Sequence, residues 1–273
     1  MQNNLAVSLL ALENMNQIND FLKILYEKKI NYIEVPISKI LDNYYFDKNK
    51  LDNFLNKISK YSVQVISIQS IFYKKEKLNI FRESDHKKIL DHLQNIFEIS
   101  NYIGAKNIIF GSPINRKLND LVKKDADDIA VNLFKKIGLL CTQKKLFFCL
   151  EPNAKFYGCE YINNINQAID FVKNVNSPNV LINADTGNIY LEDDDLSQVR
   201  KFKNLFANFQ VSEKNLISLS EGKINHEKIL SNFEINNQII SLEALNLKLD
   251  KIEENIDYFK NIIKTHPDYY NEN

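Results

Sequence analysis

The sequence predicts an α/β fold in which eight parallel strands and their helices close into a single (β/α)8 TIM barrel. Three observations predict it. Eight short apolar runs recur along the chain, segments with helical spacing separate them, and the 273 residues match the size of one barrel, roughly 250 residues. No stretch rich in Pro, Gly or Ser divides the chain. We therefore expect residues 1–273 to form a single domain.

The apolar runs predict the strands. Each run is nearly continuous in apolar residues before a polar end, which is typical of parallel strands that are covered on both faces. The runs comprise residues 5–10, 31–37, 63–69, 106–112, 146–152, 180–185, 206–212 and 239–245.

The segments between the runs predict helices. Residues 19–29 place Phe21, Leu22 and Leu25 on one helical face, and residues 86–103 carry a similar apolar stripe. A strand followed by a helix, eight times over, predicts βα units in one parallel sheet.

An open doubly wound sheet is the main alternative fold. Such a sheet usually has fewer strands and, when it binds a dinucleotide, a GxGxxG turn after its first strand. The first strand and its continuation, residues 5–16, contain no Gly. The closed barrel is therefore favoured.

Charge and hydropathy exclude two classes of partner. The chain has 35 basic and 35 acidic residues, and its net charge of zero, without a basic stripe, argues against a nucleic-acid binder. No apolar run approaches the ~20 residues of a membrane span. We expect neither nucleic acid nor membrane as a partner, and we have no expectation for the oligomeric state.

The cysteines indicate a reducing compartment. Cys141, Cys149 and Cys159 are odd in number and form no CxxC pair. The first residues lack the basic segment and the small-residue cleavage site of a signal peptide. We expect a cytoplasmic protein.

The last four predicted strands each end in an oxygen-bearing side chain. In a barrel, functional residues lie at the carboxyl ends of the strands. Carboxylates there repel each other unless a cation or shared protons compensate, and oxygen ligands suit Mg, Mn or Ca. Any one of these residues could instead be a helix cap or an ion-pair partner. The four are Glu151, Asp185, Gln210 and Glu243.

Six motifs, in this order on successive strands, resemble one known superfamily over most of the chain. They are YIEVP, FGSPINR, LEPNAKFYG, NADTGN, FQVSEKNL with the later Gly222 and His226, and SLEAL. Together they resemble the xylose isomerase-like barrels, the sugar-phosphate isomerase/epimerase group that includes ketose 3-epimerases, inosose dehydratases and hydroxypyruvate isomerases. The motifs do not identify a substrate.

The resemblance implies a divalent metal held by Glu151, Asp185, Gln210 and Glu243. Gln210 stands where the family has a histidine. Asn188 stands where many members carry a histidine, and Tyr157 stands where the ketose 3-epimerases place a further glutamate. Without imidazole ligands the site should favour Mn or Mg.

The implied activity is a sugar or sugar-phosphate isomerase or epimerase. The metal would polarise a carbonyl, while Glu151 and Glu243 remove and return the neighbouring proton. Arg116 and Lys155 would bind a phosphate or carboxylate, or else be solvated loop charges. The predicted substrate-binding residues are Gln69, Arg116, Asn153, Lys155, Asn188 and Glu213.

Three other functions remain open to different degrees. A dehydratase or lyase on a polyol derivative would use the same enolate chemistry. A metal-free barrel that binds a sugar or a partner protein would explain Gln210 and Asn188. Apurinic endonucleases share the barrel but use several metal-binding histidines and a DNA-binding face. None of the four histidines lies at a predicted strand end, and an endonuclease is therefore disfavoured.

Overall fold

Eight short strands pair in parallel, each with its neighbours in sequence, and the last pairs with the first to close a barrel. The computed structural model describes residues 4–235 and 238–264; the ends of the predicted domain, residues 1–3 and 265–273, lie outside the described residues. The strands differ from the predicted runs by no more than two residues at either end, and the predicted TIM barrel is confirmed. They are β1 (Leu5–Ser8), β2 (Tyr32–Pro36), β3 (Gln64–Gln69), β4 (Asn107–Phe110), β5 (Phe147–Leu150), β6 (Val180–Asp185), β7 (Phe206–Ser212) and β8 (Ile240–Glu243).

A helix follows each strand on the outside of the barrel. The two predicted helical segments coincide with the first and third helices, and the sixth and seventh helices have only one to two turns. Within residues 4–235 and 238–264, no helix combines the length and apolarity needed to cross a membrane. The helices are α1 (Ile18–Glu27), α2 (Lys48–Ser59), α3 (Glu83–Ile103), α4 (Lys123–Lys144), α5 (Ile165–Val175), α6 (Thr186–Glu192), α7 (His226–Leu230) and α8 (Leu249–Lys264).

The main apolar core lies between the strands and the helices. Phe134 of α4 packs edge-to-face on Phe148 of β5, with ring centroids 5.6 Å apart, and on Phe171 of α5, at 4.9 Å. Phe110 of β4 joins the same cluster at 5.8 Å from Phe134. Fully burying a side chain of this kind contributes roughly 2–3 kcal/mol, so this layer holds the helices against the strands.

The inside of the barrel is polar. The interior of such a barrel is normally filled with bulky branched apolar side chains. Here β6, β7 and β8 alternate, with apolar side chains facing the helices and polar side chains facing inward. The buried polar side chains that fill the interior, each at most 3% exposed, are Ser8, Glu34, Ser67, Gln69, Asn183, Asn208, Gln210 and Ser241.

Candidate functional site

A cavity of about 480 Å³ opens at the carboxyl ends of the strands. Apolar side chains from the loops line its outer part, and amides, hydroxyls and carboxylates line its floor. Among the described residues that line it, none is Lys, Arg or His. The polar lining of the floor consists of Gln69, Glu151, Asn153, Tyr157, Asp185, Asn188, Ser212 and Glu243.

The structure brings six of the ten sequence-predicted site residues into this cavity and places four elsewhere. The six in the cavity are Glu151, Asp185, Glu243, Gln69, Asn153 and Asn188. The four that do not line it are Gln210, Arg116, Lys155 and Glu213.

Glu151 follows β5 and receives three amide N–H groups. Its Oε1 accepts from Asn153 Nδ2 at 2.7 Å and from Asn188 Nδ2 at 3.0 Å, and its Oε2 accepts from Asn183 Nδ2 at 3.2 Å. Burial raises the pKa of Glu151 to about 8, and the nearby charge of Asp185 acts in the same direction. The protein thus favours a protonated Glu151 more than water does.

Asp185 ends β6 and caps α6. Its Oδ1 accepts from the backbone N–H of Asn188 at 2.8 Å and from Asn188 Nδ2 at 3.0 Å. Its Oδ2 is buried and has no hydrogen-bond partner of normal geometry. Burial raises the pKa of Asp185 to about 6, while the Ser212 hydroxyl and the Asn188 N–H groups lower it in part.

Glu243 ends β8 on another side of the same cavity. Its Oε1 accepts from Gln69 Nε2 of β3 at 2.6 Å. Burial raises the pKa of Glu243 well above its usual value, and the charges of Glu151 and Asp185 add to the effect. The three carboxyl groups therefore interact electrostatically within one site.

Gln210 lies below the cavity, inside the barrel. Its Nε2 donates to Glu34 Oε2 at 2.8 Å, and its Oε1 accepts from Asn183 Nδ2 at 2.5 Å. Glu34 also accepts from Asn208 at 3.0 Å and from Ser67 at 2.8 Å, and burial raises its pKa. Both polar ends of Gln210 are thus engaged by interior side chains, and Gln210 does not line the cavity, although it pairs with Asp185 on the neighbouring strand.

Arg116 is completely buried beside the cavity rather than facing it. Its guanidinium donates to the carbonyl oxygens of Tyr161, Ile162 and Glu151 at 3.1, 3.2 and 3.0 Å, and to Asn153 Oδ1. With four acceptors already in place, it does not border the pocket as the anion-binding prediction required.

Lys155 also lies away from the cavity. Its side chain is 73% exposed, and its Nζ lies 3.7 Å from Glu192 Oε2. The segment of residues 155–157 after β5 forms a short 3-10 turn on the outer rim, and this turn carries the lysine into solvent. The structure therefore does not place it where it would meet a substrate in the cavity.

Glu213 is buried behind the cavity wall in a chain of polar contacts. Its Oε1 accepts from the backbone N–H of Ile224 at 2.9 Å and lies 3.2 Å from His226 Nε2. His226 Nδ1 lies 3.0 Å from the hydroxyl of Thr186, the residue after Asp185. Burial lowers the pKa of His226, against the opposing effect of Glu213. Glu213 thus contacts the neighbours of the site and not the cavity.

Several interior residues were not among the sequence-predicted site residues. Glu34, Asn183 and Asn208 connect to Glu151 through side-chain hydrogen bonds. The signal for Asn183 and Asn208 was the alternation of apolar and polar residues in INAD and NFQVS. Strict alternation places every second side chain on one face of a strand, and in a barrel that face is the interior.

Comparison with protein families matches residues 22–262 to the family described as the xylose isomerase-like TIM barrel. The chain belongs to this family. No match was found among curated proteins.

Solved structures of the same fold superpose on this xylose isomerase-like barrel along nearly their whole length. An AP endonuclease of family 2 from Brucella melitensis has a TM-score of 0.75 and 15% identity, covering 94% of this chain and 98% of that one. The 3-keto-D-glucoside 4-epimerase YcjR from E. coli has a TM-score of 0.74 and 12% identity, with coverages of 96% and 99%. The IolI protein, solved with a zinc atom, has a TM-score of 0.74 and 16% identity, with coverages of 98% and 99%. At these identities the likeness shows the fold alone.

The residues of this xylose isomerase-like barrel do not fit the four-ligand metal centre that the resemblance implies. In the described ranges 4–235 and 238–264, no three or more His, Cys, Asp or Glu side chains are placed to hold a metal ion. Gln210 is engaged below the cavity, and Asn188 directs N–H groups at both Glu151 and Asp185. A divalent cation needs several oxygen lone pairs that point at one position, whereas both oxygens of Glu151 and Oδ1 of Asp185 already accept amide N–H groups.

Proposed function

We propose that this chain is an enzyme of the isomerase or epimerase type, which moves a proton on a carbon next to the carbonyl group of a small sugar or polyol. One observation carries the proposal. Glu151 after β5 and Glu243 at the end of β8 line the same cavity, and each is held by amide donors. Two carboxyl groups around one bound substrate are the arrangement in which one removes a proton and the other returns it.

The amides of the cavity suit the other needs of this chemistry. Side-chain N–H groups of Asn153, Asn188 and Gln69 are held at the carboxyl groups of the floor, beside the space for a substrate. Asn153 and Gln69 each have a second side-chain N–H beyond the one that donates to a carboxyl group, and fixed donors of this kind stabilise the negative charge that develops on a carbonyl oxygen when the adjacent proton leaves. The same amides and the hydroxyls of Tyr157 and Ser212 offer partners for the hydroxyl groups of a sugar.

The charge of the lining favours an uncharged substrate over a sugar phosphate. Four acidic side chains line the cavity, Glu76, Glu151, Asp185 and Glu243, and the described lining includes no basic one. A phosphate group would meet carboxylates at short range without a compensating cation. We therefore narrow the substrate class to neutral sugars and polyols.

The Mn or Mg cofactor predicted from the resemblance is not part of this proposal, because the donor set does not fit it. Elimination of water from a polyol derivative would begin with the same proton abstraction, so a dehydratase differs only in the product. The assay below separates the two reactions.

The test is incubation of the protein with a panel of neutral ketoses, aldoses and inososes in D2O, followed by NMR. An isomerase or epimerase replaces the C–H next to the carbonyl by C–D and yields an isomer, whereas a dehydratase yields an unsaturated product. Glu151→Gln and Glu243→Gln should each lower kcat roughly 100-fold or more, and Glu98→Gln on the exposed face of α3 should not. Absence of exchange with every sugar, or exchange that survives both substitutions, would refute the proposal.

A further inference from the structure

We infer that amide N–H groups, each held in a fixed orientation by the protein, compensate the carboxyl cluster of Glu151, Asp185 and Glu243 in place of a divalent cation. The inference rests on the proposed function only in taking this cavity as the active site. It depends on which atom of each amide faces the carboxylates, because the oxygen and the nitrogen of an amide have opposite roles.

Asn188 has an unambiguous orientation. The backbone N–H of Ala154 donates to Asn188 Oδ1 at 2.8 Å. A backbone N–H can only donate, so the oxygen of the Asn188 amide must face it and the nitrogen must face the other way. That nitrogen donates to Glu151 Oε1 and to Asp185 Oδ1, at 3.0 Å each. A positive dipole end thus lies between two of the three carboxyl groups.

Asn153 is oriented by Arg116. The guanidinium has no acceptor atom, and it donates to Asn153 Oδ1. The nitrogen of Asn153 therefore faces Glu151 Oε1, at 2.7 Å. Arg116 is therefore a positioning residue. It does not line the cavity, but it fixes the orientation of Asn153, which does.

Gln69 is oriented through Ser8. The backbone N–H of Leu10 donates to Ser8 Oγ at 3.0 Å, and the hydroxyl then donates to Gln69 Oε1 at 3.1 Å. The nitrogen of Gln69 faces Glu243 Oε1, at 2.6 Å. Each of the three carboxyl groups thus receives an amide N–H, and for Glu151 and Asp185 the orientation of that amide is fixed by a backbone N–H or a guanidinium, which can only donate.

The amides inside the barrel continue the pattern below the cavity. Asn107 donates to Asn208, Asn208 to Asn183 at 2.8 Å, and Asn183 both to Glu151 and to Gln210. Gln210, at the position of the family's histidine, donates its own side-chain N–H to Glu34. The carbonyl oxygen that would have served as a metal ligand is thus the acceptor for Asn183.

These contacts compete with a cation for the carboxyl oxygens. Both oxygens of Glu151, one of Asp185 and one of Glu243 already accept hydrogen bonds. A divalent ion would have to displace the N–H groups of Asn188, which present hydrogen atoms at the point where two carboxylates approach each other. Oδ2 of Asp185 is buried, with no hydrogen-bond partner of normal geometry, and the Ser212 hydroxyl lies near enough to lower the pKa of this carboxyl group.

The test is titration of the metal-free protein with MnCl2, MgCl2 and ZnCl2 by calorimetry, with thermal unfolding in parallel. We expect no stoichiometric binding and no rise in Tm at millimolar ion. Asn188→Asp replaces the donor by two acceptor oxygens, and Asn188→His replaces it by an imidazole; we expect at least a tenfold gain in Mn or Zn affinity in whichever variant folds. Asn174→Asp adds the same charge on the exposed surface of α5 and should gain nothing.

Several outcomes would overturn the inference. One-to-one binding of any of these ions by the native protein would do so, as would folded Asn188→Asp and Asn188→His variants that both bind no better than the native chain. The deuterium-exchange assay in EDTA separates this inference from the proposed function. Exchange that is lost in EDTA and regained with Mn overturns the inference and leaves the function intact, whereas a protein that binds no ion and exchanges no sugar refutes the function alone.

Discussion

At the scale of single residues, Gly222 determines where Glu213 can lie. A Cβ atom added at Gly222 would sit 1.8 Å from Glu213 Cδ and 2.0 Å from its Oε1. Glu213 is 3% exposed and holds both the Ile224 N–H and His226. Because the carboxylate fills the space beside the glycine, Gly222 is a steric requirement and not a conformational one.

We expect Gly222→Ala to destabilise the protein by about 2 kcal/mol, because displacement of Glu213 leaves buried polar groups without partners. Urea unfolding measures the change. The matched control is Gly104→Ala, where a Cβ meets nothing within 4 Å and only the φ of +85° is unfavourable. A loss at position 222 no larger than the loss at position 104 would contradict the steric explanation.

The sequence predicted which residues lie at the site better than it predicted where their side chains point. Glu151, Asp185 and Glu243 end strands of one parallel barrel, and the topology alone brings strand ends together. The direction of a side chain depends on contacts far away in sequence. Arg116 points away from the cavity because the carbonyls of residues 161–162 accept its N–H groups. No local sequence pattern predicts that contact.

At the scale of secondary structure, the loop after α6 is tied to the beginning of α5. Asp194 Oδ2 accepts the N–H of Ile165, the first residue of α5, at 3.0 Å, while its Oδ1 is buried without a partner. Burial raises the pKa of Asp194 to about 7, and the charges of Glu192 and Asp193 add to the shift. The ionised form is therefore less stable in the folded chain than in the unfolded one.

This contact gives a pH dependence of stability. Since the folded pKa lies above the unfolded value, unfolding releases a proton between about pH 4 and 7, and Asp194 lowers stability progressively as pH rises through that window. Asp194→Asn should remove the dependence, so its Tm relative to the native protein should rise from pH 5 to pH 8, by the equivalent of roughly 2 kcal/mol. Asp128→Asn, on the exposed surface of α4, is the control. A Tm difference that is constant with pH would refute the assignment.

Strands and long helices followed from the sequence because their apolar patterns are local. Short elements did not. The five residues of α7, His226–Leu230, carry too few apolar positions to show a period. Its beginning depends on Asn225, whose side chain accepts the N–H of Lys228 at 2.9 Å.

At the scale of the whole molecule, the barrel combines an apolar outer layer with a hydrogen-bonded interior. The fold could be predicted because repeated βα units and length are global properties of the sequence. The polar interior could not be inferred from runs counted as nearly continuous in apolar residues. Asn183 and Asn208 interrupt those runs. Their hydrogen-bond partners lie on other strands, which come together only when the barrel closes.

Asn208 tests the importance of that interior. It donates to Glu34 and to Asn183 and accepts from Asn107, so Asn208→Ala leaves two buried side chains and the partly buried Asn107 one partner short. We expect a loss of about 3 kcal/mol in urea unfolding. Asn53→Ala, on the exposed face of α2, should change stability by less than about 0.5 kcal/mol. Equal losses in the two variants would mean that the interior network contributes nothing measurable.

The interior amides also connect strands that are not neighbours in the barrel. Asn208 and Gln210 of β7 donate to Glu34 of β2 across the barrel. Because β7 and β2 are not neighbours, backbone pairing cannot connect them. Such ties oppose flattening of the barrel into an ellipse, and they make the width of its mouth depend on β2, a strand that does not line the cavity. Binding of a ligand in the cavity should therefore slow the exchange of the backbone hydrogens of β2 with solvent.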